Sequence, residues 1–106
     1  MEAIVAGPDE DDLGAALEDE GVTVTRVNGV VTRPKLEEAG ALEADLFVLT
    51  DVEEATAIPI VCDLNDGVRT VVYARRTVPE FVKGQLDLAV DPRLVDASGV
   101  ADALVS

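Results

Sequence analysis

Apolar and polar positions along this chain fall into short blocks whose period changes from one block to the next. Ala3 to Ala6 is an unbroken apolar run stopped by Gly7-Pro8, the pattern of a strand covered on both faces and followed by a tight turn. From Asp9 to Glu20, Leu13, Ala16 and Leu17 recur at helical spacing among acids, and Gly21 can adopt the left-handed conformation that ends a helix. Val22 to Val27 mixes valine with Thr23, Thr25 and Arg26 as a second strand, halted by Asn28-Gly29. Gly29 to Val31 predicts a very short edge strand, and Pro34 opens a brief helix, Pro34 to Ala39, that Gly40 closes. Leu46 to Leu49 is again continuously apolar and ends in Thr50-Asp51. Glu53 to Leu64 predicts a helix in which Pro59 calls for a late start or a kink. A buried strand over Val71 to Ala74, a short helix over Pro79 to Lys83, a last strand over Leu86 to Val90 and a C-terminal helix over Leu94 to Val105 complete the pattern.

The order β-α-β-β-α-β-α-β-α predicts an α/β fold. It is a Rossmann-like, doubly wound, mostly parallel sheet of five to six strands with helices on both faces. With 106 residues and no linker, repeat or low-complexity stretch, the chain is expected to form a single domain over residues 1–106.

Composition narrows the chemistry. Acidic residues outnumber basic ones 22 to 8, a net charge of −14, which argues against nucleic acid and anionic membrane surfaces as partners. There is no histidine, and Cys62 is the only cysteine, so imidazole catalysis, a disulfide within the chain and a zinc site of several cysteines are excluded. No apolar run is long enough to span a membrane, and the start Met-Glu-Ala-Ile-Val has no secretion-signal pattern, so the expectation is a cytoplasmic protein without membrane insertion. Lysine is confined to Lys35 and Lys83 while the acids are spread along the whole chain, the pattern of a halophilic surface whose self-repulsion is screened in molar salt.

Leu36-Glu37-Glu38-Ala39-Gly40-Ala41-Leu42-Glu43-Ala44-Asp45-Leu46-Phe47-Val48-Leu49-Thr50-Asp51 resembles one segment of a known family: helix, Ala-Asp, buried strand, Thr-Asp. Val72-Tyr73-Ala74-Arg75, then Pro79-Glu80-Phe81 and Leu86 to Pro92, resemble its strand ending in Ala-Arg, its Pro-Glu helix start and its closing Val-Asp-Pro. The family is the N-terminal Rossmann-type domain of potassium-transport regulators, the TrkA-N or RCK N-terminal domain. The resemblance implies NAD or adenine-nucleotide binding at the carboxyl edge of the sheet, homodimerisation, and control of a channel or transporter. The candidate ligand-contacting positions are Gly7, Pro8, Asp9, Asn28, Thr50, Asp51, Ala74 and Arg75.

The first loop departs from the pattern. A dinucleotide site uses Gly-x-Gly-x-x-Gly so that backbone amides and a helix N-terminus meet the pyrophosphate. Here only Gly7 is in place, and Pro8-Asp9-Glu10-Asp11-Asp12 brings up to four carboxylates to that helix start. Unit like charges about 4 Å apart repel by about 1 kcal/mol in water and about 4 kcal/mol at an effective dielectric of 20, so pyrophosphate is disfavoured. Asn28 stands where the family has a ribose-binding acid. The expectation is the fold without a bound cofactor.

Other candidates weigh as follows. Asp9 to Asp12 could ligate a hard cation, but acids in a first helical turn more often cap amides and complement the dipole, so no metal is expected. Thr50 and Asp51 suit a polar ligand at the switch point and equally suit a helix cap. Arg75 and Arg76 could hold an anion, although surface pairing with carboxylates is the simpler role. Cys62 among Ile60, Val61 and Leu64 reads as a small buried hydrophobe.

The leading expectation is a non-catalytic regulatory or ligand-sensing module. One alternative is a nucleotide-dependent enzyme of CTP-synthetase or oxidoreductase type, against which stand the length, the missing histidine and the missing Gly-x-x-x-x-Gly-Lys-Ser/Thr loop. The other is a structural subunit docking on a transporter or a longer regulator. A homodimer is the expected assembly.

Overall fold

A computed structural model describes residues 1–106. Five apolar segments form the strands: β1 (Glu2–Ala6), β2 (Thr23–Val27), β3 (Leu46–Leu49), β4 (Arg69–Tyr73) and β5 (Leu88–Val90). They make one sheet in the order β2-β1-β3-β4-β5, and every pairing is parallel. All four residues of β3, at the centre, are buried, as a strand covered on both faces requires.

Alternation across the pleat sends side chains to two cores. Ala3, Val5, Leu46, Val48, Val71 and Tyr73 meet α1 (Leu13–Asp19) and α4 (Ala97–Val105) through Leu13, Leu17, Val100, Ala101 and Leu104. Ile4, Ala6, Phe47, Leu49 and Val72 meet α2 (Arg33–Glu38) and α3 (Ala57–Leu64) through Leu36, Ala57, Ile58 and Val61. The two faces make the fold doubly wound. The order 2-1-3-4-5 is that of the flavodoxin-like doubly wound sheet, whose switch point lies between β1 and β3.

Several expected elements are corrected. The edge strand over Gly29 to Val31 does not form; the Val31 N–H donates to Glu54 Oε1 at 2.7 Å, so a side chain takes the bond a neighbouring strand would have made. The helix expected from Asp9 begins only at Leu13, because Asp9 to Asp12 close a turn in which the Asp12 N–H donates to the Asp9 carbonyl. Glu53 to Leu64 divides into a 3-10 turn (Val52–Glu54) and α3, and Pro59 falls in the first turn of α3, where its missing N–H costs no intrahelical bond. Pro79 to Lys83 is realised as a 3-10 helix, Glu80–Gln85. The C-terminal helix starts at Ala97, where Asp96 accepts from the Gly99 N–H at 2.9 Å, so Leu94 and Val95 lie outside it and are exposed.

Candidate functional site

In a sheet of this order the direction of winding reverses between β1 and β3, and the loops leaving their carboxyl ends part to form a crevice. A cleft of about 440 Å³ opens there. Pro8 to Asp11 form one wall, Thr50 to Glu53 another, and Tyr73 to Arg76 with Pro92 close the third side.

Gly7 sets the geometry. Its φ of +104° turns the chain out of β1, and a Cβ there would stand 2.6 Å from Thr50 Oγ1 and 3.0 Å from the Asp51 nitrogen. That close approach lets both the hydroxyl and the N–H of Thr50 donate to the Ala6 carbonyl, at 3.2 and 3.0 Å, clamping β1 to β3 at the switch point. Asp51, the next residue, accepts from the Glu53 N–H at 3.0 Å and starts the 3-10 turn while lining the cleft.

The N-terminus of α1, where a dinucleotide fold receives pyrophosphate, is filled from within the chain. Asp9 Oδ1 accepts from the Leu13 N–H and Oδ2 from the Gly14 N–H, both at 2.8 Å. Arg26 Nη1 on β2 donates to the same Oδ2 at 2.8 Å. A carboxylate thus occupies the anion's place, its charge met by two amides and a guanidinium. Asp9 holds the Arg26 guanidinium above its ordinary pKa by hydrogen bond and charge, with Glu18 and Asp12 adding to the effect. Gly14 makes room for the guanidinium, since a Cβ there would lie 2.6 Å from Arg26 Nη2. Asp12 precedes the helix with φ +58° and contributes no side-chain cap.

Two ion pairs join the walls of the cleft. Arg75 Nη2 lies 3.7 Å from Asp11 Oδ1, and Arg76 Nη1 lies 3.2 Å from Glu53 Oε1. Both are exposed pairs of the kind worth about 0–1 kcal/mol, so a ligand can break them at little cost. At the rim Arg93 grips Asp91 through Nε and Nη2, which lowers the Asp91 carboxyl to about 2. The Tyr73 hydroxyl donates to the Val95 carbonyl at 2.9 Å, and burial with surrounding acids raises its pKa. Burial, reinforced by Asp87, likewise raises the Cys62 thiol. No group of three or more Cys, Asp and Glu side chains is arranged to hold a metal ion.

Of the eight positions read from the sequence, Pro8, Asp9, Thr50, Asp51, Ala74 and Arg75 line the cleft. Gly7 stands behind it as a buttress. Asn28 is not part of it. That residue lies in a separate depression beside β2 with Lys35 and Glu38, where Lys35 Nζ donates to its carbonyl at 3.1 Å. After Val27 the chain leads to α2, whose Lys35 and Glu38 line that depression. The expectation that four carboxylates face the helix start is also corrected: Asp9 alone does so, while Asp11 turns to Arg75.

Sequence reasoning missed Arg26, Glu54 and Asn65. Asn65 Nδ2 donates to the Ala41 and Ala44 carbonyls at 3.0 and 2.9 Å, and its Oδ1 accepts from the Gly67 N–H at 3.1 Å, which fixes the entry to β3. The one available signal was for Arg26: a guanidinium in a Val-Thr strand opposite a glycine in an amphipathic helix.

Solved structures share the fold. One is a pilus assembly protein (CpaE) from Burkholderia thailandensis, 18% identical, with a TM-score of 0.68 over 99% of this chain and 95% of that one. A pilus assembly-related protein from Burkholderia pseudomallei is 17% identical, with a TM-score of 0.67 over 99% of this chain and 87% of that one. RecJ from Thermus thermophilus, solved with Mn2+, is 22% identical with a TM-score of 0.50, the match spanning 98% of this chain but 17% of RecJ. At these identities the likeness is one of fold. No curated protein matches the sequence. Residues 3–104, nearly the whole chain, match the model of the Family of unknown function DUF7126, and the chain belongs to that family.

Proposed function

We propose that this protein is a non-catalytic regulatory module, akin to the TrkA-N domains, whose dinucleotide cradle has been closed by its own carboxylate and whose remaining cleft senses a small polar ligand other than a dinucleotide. The observation that carries the reading is the seating of Asp9 on the Leu13 and Gly14 amides with Arg26 behind it. A pyrophosphate would have to expel that carboxylate and then face Glu10 and Asp11. Kinship with TrkA-N rests on the sequence resemblance over Leu36 to Asp51 and Val72 to Pro92, and the doubly wound parallel sheet accommodates it.

The absence of catalysis is inferred from the side chains at hand. The thiol of Cys62 and the phenol of Tyr73 are both pushed up, away from the range in which a nucleophile or general base works near neutrality. The cleft arginines are engaged in weak pairs that a ligand carboxylate or phosphate monoester could exchange.

The test is thermal unfolding in 2 M KCl with NAD, NADH, ATP, ADP, AMP and c-di-AMP, alongside assays for nucleotide hydrolysis. NAD and NADH are expected to leave the midpoint unchanged, and no turnover is expected. A micromolar NAD complex formed without metal, or hydrolysis by the pure protein, overturns the proposal.

A further inference from the structure

The charges that line the cleft do not balance, and their hydrogen bonding is incomplete. Asp9 is spent on the amides of α1 and on Arg26. Glu10 and Asp11 on one wall and Asp51 and Glu53 on the next then face two guanidiniums, Arg75 and Arg76, on the third. Arg76 donates to Glu53 at 3.2 Å. Arg75 makes no such bond: its Nη2 stands 3.7 Å from Asp11 Oδ1, so a fork of N–H donors and a carboxylate face each other without joining. Asp51, half-buried, accepts only from the Glu53 N–H, and neither it nor Glu10 forms an ion pair within the chain.

This arrangement discriminates among small ligands. A bare anion on Arg75 takes away the only cation near Asp11 and then lies among three uncompensated carboxylates, those of Glu10, Asp11 and Asp51. A bare cation meets the carboxylates but leaves the donors of Arg75 unused. A molecule carrying both charges inserts between Arg75 and Asp11. Its carboxylate accepts from the guanidinium fork, its ammonium donates to the acidic walls, and the total charge of the site is unchanged. The ammonium must carry N–H groups, because ionised carboxylates only accept hydrogen bonds. A volume of about 440 Å³ is within the range of small-molecule sites.

We infer that the cleft is a binding site for α-amino acids with a free primary ammonium, the carboxylate held by Arg75 and the ammonium by Asp11 with Asp51. This rests on the reading of the cleft as a sensor of a small polar ligand and names the class of that ligand. Four carboxylates against two guanidiniums leave an excess of negative charge that a simple zwitterion does not cancel. A side chain bearing a second ammonium is therefore favoured, and one bearing a second carboxylate is disfavoured.

Amide NMR titration of the full chain in 2 M KCl tests this, with L-lysine, L-alanine, L-glutamate, acetate, methylammonium and glycine betaine as probes and the spectrum itself confirming the fold of each variant. L-lysine and L-alanine are expected to give saturable shifts at Glu10, Glu53 and Arg75, with affinity falling from L-lysine through L-alanine to L-glutamate. Acetate, methylammonium and glycine betaine, whose nitrogen has no N–H, are expected to bind at least about tenfold more weakly than L-alanine. Arg75→Gln, at an exposed side chain, is expected to weaken L-alanine binding at least about tenfold. Asp51→Asn keeps an acceptor for the Glu53 N–H while removing the charge, and is expected to weaken L-lysine at least about tenfold. The inference is overturned if no amino acid gives a saturable shift, if acetate or glycine betaine binds as tightly as L-alanine, or if Arg75→Gln binds like wild type. Such a result with NAD also silent leaves the sensor reading standing, whereas a micromolar NAD complex removes that reading itself.

Discussion

Replacing Asp9 by alanine removes one carboxylate and strands three donors: the amides of Leu13 and Gly14 and the guanidinium of Arg26. Loss of a helix cap costs about 0.5–2 kcal/mol, and the upper end applies here because two amides lose their acceptor together in a part-buried site. The ion pair adds less. The Arg26 side chain is 43% exposed, against 10% for Asp9, and Glu18 Oε1 stands 3.9 Å away as a substitute partner, so solvent screening leaves about 0.5 kcal/mol. The sum is about 2–2.5 kcal/mol, a large part of the stability of a domain this size and equivalent to a fall in Tm of about 10 °C. Asp9→Asn keeps one acceptor and is expected to lose about half as much. Urea unfolding followed by circular dichroism at fixed high salt reads both values. A loss below about 0.5 kcal/mol for Asp9→Ala would refute the reasoning, since water would then serve the amides as well as the carboxylate does.

Three further outcomes follow from the same geometry. Gly7→Ala puts a Cβ into Thr50 Oγ1 at a φ of +104°, and chemical denaturation is expected to show a loss of about 2–3 kcal/mol, whereas Gly21→Ala, with open space around it, should lose about 1 kcal/mol. Asn65→Ala abolishes three hydrogen bonds that join the entry of β3 to the turn before β4; an equilibrium loss of about 2–3 kcal/mol is expected, with faster amide exchange at Gly67. Asp91 is held at about 2, below its ordinary 3.8, first by the side-chain and backbone hydrogen bonds from Arg93. Because the folded value is depressed, its contribution is complete above about pH 4 and is lost as the pH falls towards 2. Carboxyl NMR titration should show Asp91 returning towards 3.8 in Arg93→Gln, and an unchanged midpoint would contradict the pairing.

The cleft shows how local and distant information divide. Thr50 and Asp51 were legible because they end a four-residue apolar run, which in a parallel sheet marks the carboxyl edge. Asp51, read from the sequence as a cap or a ligand contact, caps the 3-10 turn and also lines the cleft. Asn28 was misplaced because the family resemblance set it where a ribose-binding acid stands, whereas the chain after Val27 leads to α2 and Lys35 Nζ donates to the Asn28 carbonyl.

By itself the sequence determined the parallel α/β sheet, because strands buried on both faces must be apolar throughout and the helices between them must be amphipathic. It also determined that one glycine and four acidic residues make up the first loop, since charge is countable without coordinates. Tertiary structure alone decided that Asp9 sits on the amides of α1 and meets Arg26 from β2, that Glu54 supplants a strand, and that β5 ends the sheet with an uncharged edge. Those outcomes depend on which segments lie side by side. Hydrophobic period reports how each segment faces the core, but carries no information on which distant side chain will satisfy a given N–H.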